Sequence, residues 1–225
     1  MAVPFKDRYD AGRQLAQLLT AFANRSDTIV LGLARGGVPV AYEVASTLDA
    51  PLDVFVVRKL GVPGHEELAM GAIASGGEIV LNKEVIQDRH ISDEQIEHVV
   101  VHERVELSRR ERRYRNGNPA PSIKDRTALL IDDGLATGST MRAAAIAIRM
   151  QEPKQIVVAV PISDPGVCEN FRELVEEIIC IVTPEPLYAV GIWYRDFAPT
   201  TDDEVSELLR RRQDASRTSK RRIIG

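Results

Sequence analysis

This sequence has few cysteines, few aromatic residues and no long apolar run. Its 225 residues include two cysteines, Cys168 and Cys180, too few for the disulfide framework of a small secreted protein. No apolar run approaches the roughly 18–20 residues of a membrane helix. The N-terminal segment also lacks the basic start and apolar stretch of a signal peptide. We therefore expect a protein that works in the reducing cytoplasm without a membrane partner.

Three familiar site patterns are incomplete. His98 and His102 are four residues apart on a predicted helix, but no convincing third ligand is nearby, so a metal site there is not favoured. Gly134 and Gly138 are separated by three residues with no following lysine, unlike the glycines of a P-loop. Residues 32–37 lack the Gly-x-Gly-x-x-Gly spacing of a dinucleotide fingerprint. The glycine-rich segments need a different explanation.

Charge is unevenly distributed along the chain. The net charge is −4, yet residues 210–225 carry seven Lys and Arg against one Asp. A basic segment can bind nucleic acid, but this one is short and has no interleaved aromatic residues. We expect one domain over residues 1–209, followed by a disordered basic tail at 210–225, and no nucleic-acid partner.

Short apolar runs alternate with helical patterns along most of the chain. The apolar runs predict buried strands at residues 28–33, 52–57, 128–131, 155–160 and 177–182. Helical spacing predicts helices at residues 8–23, 38–48, 92–115 and 138–150, and a hairpin is predicted around Ser75-Gly76-Gly77. Such alternation is typical of a parallel sheet covered on both faces. We therefore expect an α/β fold whose mostly parallel sheet has about five strands flanked by helices.

Residues 129–140 combine a buried strand, an acidic pair and a turn of small residues. The strand ends at Asp132 and Asp133, and Gly, Ala, Thr and Ser residues lead from there into a helix. Small residues let backbone N–H groups close around an anion, and the helix N-terminus adds partial positive charge. Carboxylates would repel that anion unless they bind another group, and ribose hydroxyls donate to carboxylates. The segment therefore predicts a site for a ribose 5-phosphate.

The same segment resembles the phosphoribosyl pyrophosphate (PRPP) loop of type I phosphoribosyltransferases, in particular the adenine-type version. Strand, acidic pair, turn and helix occur in the family's order. The resemblance covers most of residues 8–210 and implies the type I fold, with a small C-terminal hood at about 184–200. It further implies a Mg²⁺-dependent glycosyltransferase of nucleotide metabolism that moves the 5-phosphoribosyl group from PRPP to a nitrogenous base and releases pyrophosphate. A homodimer is expected.

The resemblance also implies roles for individual residues. Asp132 and Asp133 would bind the ribose hydroxyls, take part in catalysis and support Mg²⁺ directly or indirectly. The residues implied for the 5′-phosphate are Gly134, Ala136, Thr137, Gly138, Ser139 and Thr140. Those implied for the pyrophosphate are Arg35, Gly36, Gly37, Arg58 and Lys59.

Two further segments are expected to complete the site. Residues 60–70 are rich in Gly and Pro and suit the mobile loop that such enzymes close over the reaction centre, with Lys59 and His65 as catalytic candidates. A plain surface loop is the alternative. Residues 187–197 concentrate aromatic residues and resemble the hood of purine-type members, although hydrophobic packing of the terminal segment is an equal alternative. The acceptor-binding candidates are Val190, Trp193, Tyr194 and Asp196.

Ala136 departs from the hypoxanthine/guanine-type enzymes, which have an acid at that position near the base. A 6-oxopurine acceptor is therefore disfavoured, whereas an adenine-like or non-purine acceptor stays open. Two other functions also stay open: a regulator that keeps the PRPP site as a sensor, and a phosphohydrolase that uses the phosphate site. A mobile loop and a hood would not be required in a pure sensor, so they favour the enzyme.

Overall fold

A five-stranded parallel sheet forms the centre of the protein. The computed structural model describes the backbone of residues 5–224 and the side chains of residues 5–216. The strands of the sheet are β1 (Thr28–Leu33), β2 (Leu52–Phe55), β6 (Thr127–Ile131), β7 (Gln155–Ile162) and β8 (Glu177–Val182). Their order is β2-β1-β6-β7-β8, and every neighbouring pair is parallel. The predicted α/β fold is confirmed.

Helices cover both faces of this sheet. One face packs against α1 (Arg8–Leu18), α2 (Gly37–Leu48), α4 (Asp93–Tyr114) and α7 (Asp202–Ile224), and the other against α5 (Ser139–Arg149) and α6 (Pro165–Phe171). A further short helix, α3 (Lys83–Asp88), contacts the strand β4 (His65–Ala74). Val30 lies in the first core, whereas Ile29 and Leu31 lie in the second. Because both faces are covered, the strands are mostly apolar. Among the described helices, none combines the length and the apolar composition needed to span a membrane.

Residues 60–70, where we expected a mobile loop, form part of a β-hairpin. An antiparallel sheet comprises β3 (Val57–Val62), β4 (His65–Ala74) and β5 (Ile79–Leu81). Pro63 and Gly64 form the turn between β3 and β4, with Gly64 at φ +77°. Proline followed by a positive-φ glycine is a standard tight-turn sequence. The hairpin predicted around Ser75-Gly76-Gly77 joins β4 to β5 and is confirmed.

The expected disordered tail from residue 210 is wrong for the residues described, because α7 continues through it. Val205, Leu208 and Leu209 of this helix are buried in the core. Arg212 is also buried: its Nε donates to the Ala50 carbonyl at 2.9 Å and its Nη2 to Asp49 at 2.7 Å. The helical spacing of these residues outweighs the polar composition that suggested disorder.

The two cysteines are paired as a disulfide, whereas we expected free thiols. Cys168 lies on α6 and Cys180 on β8, with their Cα atoms 7.6 Å apart. The chain runs from β7 through α6 into β8, which lies beside β7 in the sheet. The return of the chain brings the two residues together, and a cysteine count alone could not indicate this.

A buried ion pair fastens the end of α4 to β2. The Arg115 Nε donates to both carboxylate oxygens of Asp53 at 3.0 Å, and its Nη2 donates to the Val54 carbonyl at 3.0 Å. Each charged side chain is 6% exposed. We expect Arg115→Met to lower the free energy of unfolding by about 3–5 kcal/mol, because Asp53 would keep a buried position without its partner.

Urea denaturation measures this effect, with Arg109→Met as the matched control on the same helix. Arg109 is 54% exposed and pairs with Glu106 at 2.8 Å, so its loss should cost only about 0.2–1 kcal/mol. Equal losses in the two variants would contradict the assignment of Arg115 as a buried structural charge.

Candidate active site

The carboxyl ends of β1 and β6 lie side by side in the middle of the sheet. Gly32 of β1 pairs with Ile131 of β6. From β1 the chain passes through α2 to β2 on one side, and from β6 it passes through α5 to β7 on the other. Ligands of open α/β sheets bind where the strand order reverses in this way. The two glycine-rich segments singled out from the sequence follow these two strands.

The loop after β1 packs directly against the acidic pair. A Cβ added to Gly37 would lie 2.6 Å from the Ile131 carbonyl oxygen and 2.8 Å from the Asp132 Cα. One added to Gly36 would overlap the Asp133 carboxylate. Only a residue without a side chain allows this approach. The structure thus brings Gly36 and Gly37 together with both aspartates.

Each carboxylate of the acidic pair has one oxygen that is held in place. The Asp132 Oδ1 accepts from the Asp133 backbone N–H at 2.9 Å. The Asp133 Oδ2 accepts from the Arg8 Nε at 2.7 Å. Within the described residues, no hydrogen bond is made by the second oxygen of either side chain. The pair therefore presents two oriented carboxylates that each keep an oxygen for a ligand.

Burial raises the pKa of both carboxyls. The pKa of Asp132 is raised well above its ordinary value, chiefly by burial and then by the adjacent charge of Asp133. For Asp133, burial raises the pKa, while the hydrogen bond and charge of Arg8 oppose the increase. Adjacent acids with raised pKa values are typical of ligand-binding and catalytic sites. Hydroxyl donors or a cation at the two remaining oxygens would offset the cost of burying two adjacent negative charges.

The turn before α5 presents groups that suit an anion. Gly138 is the N-cap residue of α5 at φ +70° and supplies no capping side chain, while the Thr137 Oγ1 accepts from the Ser139 N–H at 3.5 Å. Thr137, Ser139 and Thr140 are exposed there, and the Thr137 Oγ1 lies 3.2 Å from the Ser139 Oγ. Open N–H groups and hydroxyls at the start of a helix form an anion site.

Arg58 and Lys59, which the resemblance assigns to the pyrophosphate, have other partners in this structure. Arg58 donates to Glu103 of α4 at 2.7 Å. Lys59 points to the opposite face of β3, since successive strand residues alternate, and its Nζ donates to the Glu67 carbonyl at 3.0 Å. His65 begins β4 and lines an open cavity at the hairpin tip. In the described part of the chain, no hydrogen bond or ion pair joins these residues to the acidic pair.

Arg35 lies in the loop after β1 but is turned towards α7. The Ala34–Arg35 peptide bond is cis. The Arg35 guanidinium is 47% exposed, and its Nη1 lies 3.7 Å from a carboxylate oxygen of Asp202. The same carboxyl group accepts a hydrogen bond from the Tyr114 hydroxyl at 2.8 Å. The contact of Arg35 is thus long and solvent-accessible.

Tyr194 fastens the hood to the acidic loop instead of presenting a free ring. Its ring lies between those of Phe5 and Phe197, with centroid distances of 5.4 Å and 4.9 Å. Its hydroxyl donates to the Asp133 carbonyl at 2.6 Å. The ring is buried between two others, so it cannot stack on an acceptor as we expected.

The other acceptor candidates occupy three different environments. Val190 packs on the loop that follows β6, since a Cβ added to Gly134 would lie 2.5 Å from the Val190 Cγ1. Trp193 is half-buried against the cluster that contains Phe5, and within the described residues its buried Nε1 has no hydrogen-bond partner. Asp196 is exposed and accepts from the Ala198 N–H at 3.0 Å.

Arg8 is the residue of this site that the sequence did not reveal. It is the first residue of α1 and is 125 positions from its partner Asp133. A cation at this end of a helix is opposed by the helix dipole, which is a weak signal that a tertiary contact holds it. Nothing in the sequence indicates which acid that partner is.

Comparison with known proteins identifies the family. The family model described as "Phosphoribosyl transferase domain" matches residues 6–185. This chain belongs to the phosphoribosyltransferase family. The resemblance drawn from the acidic loop is thereby confirmed, together with the type I fold. Within the described residues, no group of three or more His, Cys, Asp or Glu side chains forms a metal site.

Several relatives resemble this phosphoribosyltransferase family member over most of its length. Two Mycobacterium tuberculosis proteins, from strains CDC 1551 / Oshkosh and ATCC 25618 / H37Rv, bear the name "Putative phosphoribosyl transferase". Each is 46% identical over 207 residues, which make up 92% of this chain and 46% of the relative. The chain therefore spans about half the length of these curated relatives. The crystal structure of TT1426 from Thermus thermophilus is 39% identical, with a TM-score of 0.79, and the match covers 92% of this chain and 97% of that one.

We expect Asp132→Asn to raise the melting temperature at neutral pH. The folded state holds the Asp132 proton more tightly than the unfolded state does, so ionisation destabilises the fold as pH rises from the ordinary pKa of 3.8 through the raised value. The variant removes this cost and keeps an oxygen for the Asp133 N–H. Each kcal/mol gained should raise the melting temperature by about 2–4 °C.

Thermal melts from acid to pH 8 test this expectation, with Glu177→Gln as a control at an exposed position. The gain for Asp132→Asn should be largest at high pH and disappear in acid, and the control should not follow that curve. A lower melting temperature at pH 8 would mean that the paired charge does not oppose folding.

Proposed function

We propose that this chain transfers the 5-phosphoribosyl group of PRPP to a nitrogenous base and releases pyrophosphate. One observation carries the proposal: two carboxylates, each with one oriented oxygen left for a ligand, lie beside a helix start whose N-cap residue is a glycine. Carboxylate oxygens suit ribose hydroxyls, and a helix start with a glycine cap and nearby hydroxyls suits the 5′-phosphate. A ribose 5-phosphate carries both groups.

The donor would be bound by the two loops in separate roles. Residues 134–140 would bind the 5′-phosphate, and the second oxygens of Asp132 and Asp133 would accept from the ribose hydroxyls. Gly36 and Gly37 would bring backbone groups close to the pyrophosphate. Family membership supports this division, since the matched residues 6–185 include both loops.

Basic residues near the pyrophosphate would have to exchange partners when PRPP binds. Arg35 and Lys59 qualify, because their contacts with Asp202 and the Glu67 carbonyl are exposed and inexpensive to break. Arg58 is less suited to this role, since its pair with Glu103 is largely buried. We infer that Arg58 fastens β3 to α4 and leaves the pyrophosphate to the other two.

The acidic pair also fits the Mg²⁺ that the family implies. Mg²⁺ is bound through one or two carboxylates together with waters and substrate oxygens, and Asp132 and Asp133 each have an oxygen to offer directly or through water. When bound, Mg²⁺ supplies positive charge that offsets the charge of the departing pyrophosphate.

The chain's own contribution to the transfer would be positioning. A nitrogen of the acceptor displaces pyrophosphate from ribose C1, and the protein orients the two reactants and excludes water. Val190 and Asp196 are the hood residues best suited to contact the acceptor, because Tyr194 is committed to packing. The tip of the β3–β4 hairpin, with His65, is the segment suited to closing over them. Ala136 favours an adenine-like or non-purine acceptor.

Two other functions use the same site and are separable by their products. A PRPP sensor would bind the donor and would release no pyrophosphate, whichever acceptor is offered. A phosphohydrolase would release phosphate without one. The hood and the hairpin favour the transferase. A cytoplasmic location, a homodimer and the absence of a nucleic-acid partner stay predictions.

Donor binding is the first test. PRPP with Mg²⁺, at 100 times its dissociation constant, should stabilise the protein by about 2.7 kcal/mol. Asp133→Asn should lose most of this stabilisation, and Glu177→Gln should keep it. The absence of any shift with the unmodified chain would refute the proposal.

Product release is the second test. Pyrophosphate measured during incubation with PRPP, Mg²⁺ and a panel of bases should appear only with particular acceptors. Tight donor binding with no pyrophosphate from any base would favour the sensor instead, and phosphate release without a base would favour the hydrolase.

A further inference from the structure

Arg8 connects three parts of the site that are far apart in sequence. Its Nε donates to the Asp133 Oδ2 at 2.7 Å, and its Nη1 donates to the Ala198 carbonyl at 2.7 Å. Its guanidinium carbon also lies 3.8 Å from the centre of the Phe197 ring. The side chains of Arg8 and Asp133 are 11% and 16% exposed. One planar cation thus contacts the acidic pair and two points of the hood segment.

The local structure of α1 does not stabilise a positive charge at Arg8. α1 is capped by Asp7, whose side chain accepts from the Asp10 N–H at 2.7 Å. Arg8 follows at the first helical position, where the helix dipole disfavours a cation. The contacts that compensate this placement are the ones to Asp133 and to the hood.

The surrounding backbone fixes the same three parts. The Phe5 N–H donates to the Trp193 carbonyl at 2.7 Å, and the Arg195 N–H donates to the Phe5 carbonyl at 2.8 Å. The Tyr194 hydroxyl donates to the Asp133 carbonyl at 2.6 Å. Arg8 thus extends from a segment that is already paired with the hood, so its guanidinium has little freedom to leave Asp133.

We propose that Arg8 is a positioning residue of the ribose site, acting through Asp133. By occupying the Oδ2 it turns the Oδ1 towards the ligand and prevents the carboxylate from rotating. Its contact with Ala198 makes this orientation depend on the hood. The inference rests on the proposed function, because it assumes a ribose phosphate at the acidic pair.

Binding of ribose 5-phosphate and of inorganic phosphate, each measured by calorimetry with EDTA present, tests the proposal. Arg8→Gln should weaken ribose 5-phosphate binding by about tenfold or more, because the ribose hydroxyls would meet an Asp133 carboxylate that is no longer held in one orientation. Inorganic phosphate, which would bind at residues 137–140, should change by less than about twofold. Arg13→Gln is the matched control, since Arg13 lies on the same helix, is 53% exposed and pairs with Glu43 at 3.3 Å; it should change neither affinity.

A double-mutant cycle with Asp133→Asn distinguishes positioning from an independent contact. If Arg8 acts through Asp133, adding Arg8→Gln to Asp133→Asn should weaken ribose 5-phosphate binding by no more than about twofold further. Losses that multiply, an unchanged ribose 5-phosphate affinity in Arg8→Gln, or an equal loss for inorganic phosphate would each overturn the proposal.

Arg8→Lys provides the measurement if Arg8→Gln does not fold. Lysine keeps the charge but cannot contact Asp133 and the Ala198 carbonyl with one planar group, so an intermediate loss confined to ribose 5-phosphate is expected. An affinity equal to that of the unmodified chain would overturn the proposal. If the unmodified chain binds neither ribose 5-phosphate nor PRPP, both the proposed function and the proposed role of Arg8 are wrong. If the unmodified chain binds and the Arg8 variants match it, only the role of Arg8 is wrong.

Discussion

Two neighbouring carboxylates at the end of a buried strand set the constraint that the rest of this site accommodates. Asp132 and Asp133 lie where burial and mutual repulsion both oppose ionisation. Three features accommodate the two charges. Arg8 in the first turn of α1 and the Asp133 backbone N–H each donate to a carboxylate, and the glycine loop after β1 comes close without side chains. Such an arrangement costs stability in the absence of ligand, which is typical of functional sites.

The hood, residues 184–200, is held against the acidic pair by hydrogen bonds of Tyr194 and Arg8. Aromatic residues that are scarce elsewhere are used here for anchoring: Tyr194 packs between Phe5 and Phe197 and reaches the Asp133 carbonyl. The hood therefore packs against both the acidic loop and the N-terminal segment. The large apolar side chains that stay exposed in it are Tyr188 and Ile192. A change at the acidic pair would reach the hood through these contacts.

Local signals predicted most elements because each depends on near neighbours in the chain. The buried strands were visible as apolar runs, since a parallel sheet covered on both faces buries every residue of a strand. The failures lie where composition and geometry diverge. Residues 60–70 have the Gly and Pro content of a loop, but Pro63 and Gly64 form only the turn of a hairpin. Residues 210–216 have the polar composition of a tail, but they continue a helix whose Arg212 is buried.

The sequence by itself determined the sheet, the acidic pair and the turn of small residues that leads into α5, because the groups involved are adjacent in the chain and their spacing is readable. Only the tertiary structure decided which cation faces Asp133, which aromatic ring is used for packing, and that Arg58 turns away to Glu103. The contacts of Arg58 with Glu103, of Arg8 with Asp133 and of Arg8 with Ala198 join residues 45, 125 and 190 positions apart. Partners at such separations are chosen by how the helices pack on the sheet, and no local pattern records that choice.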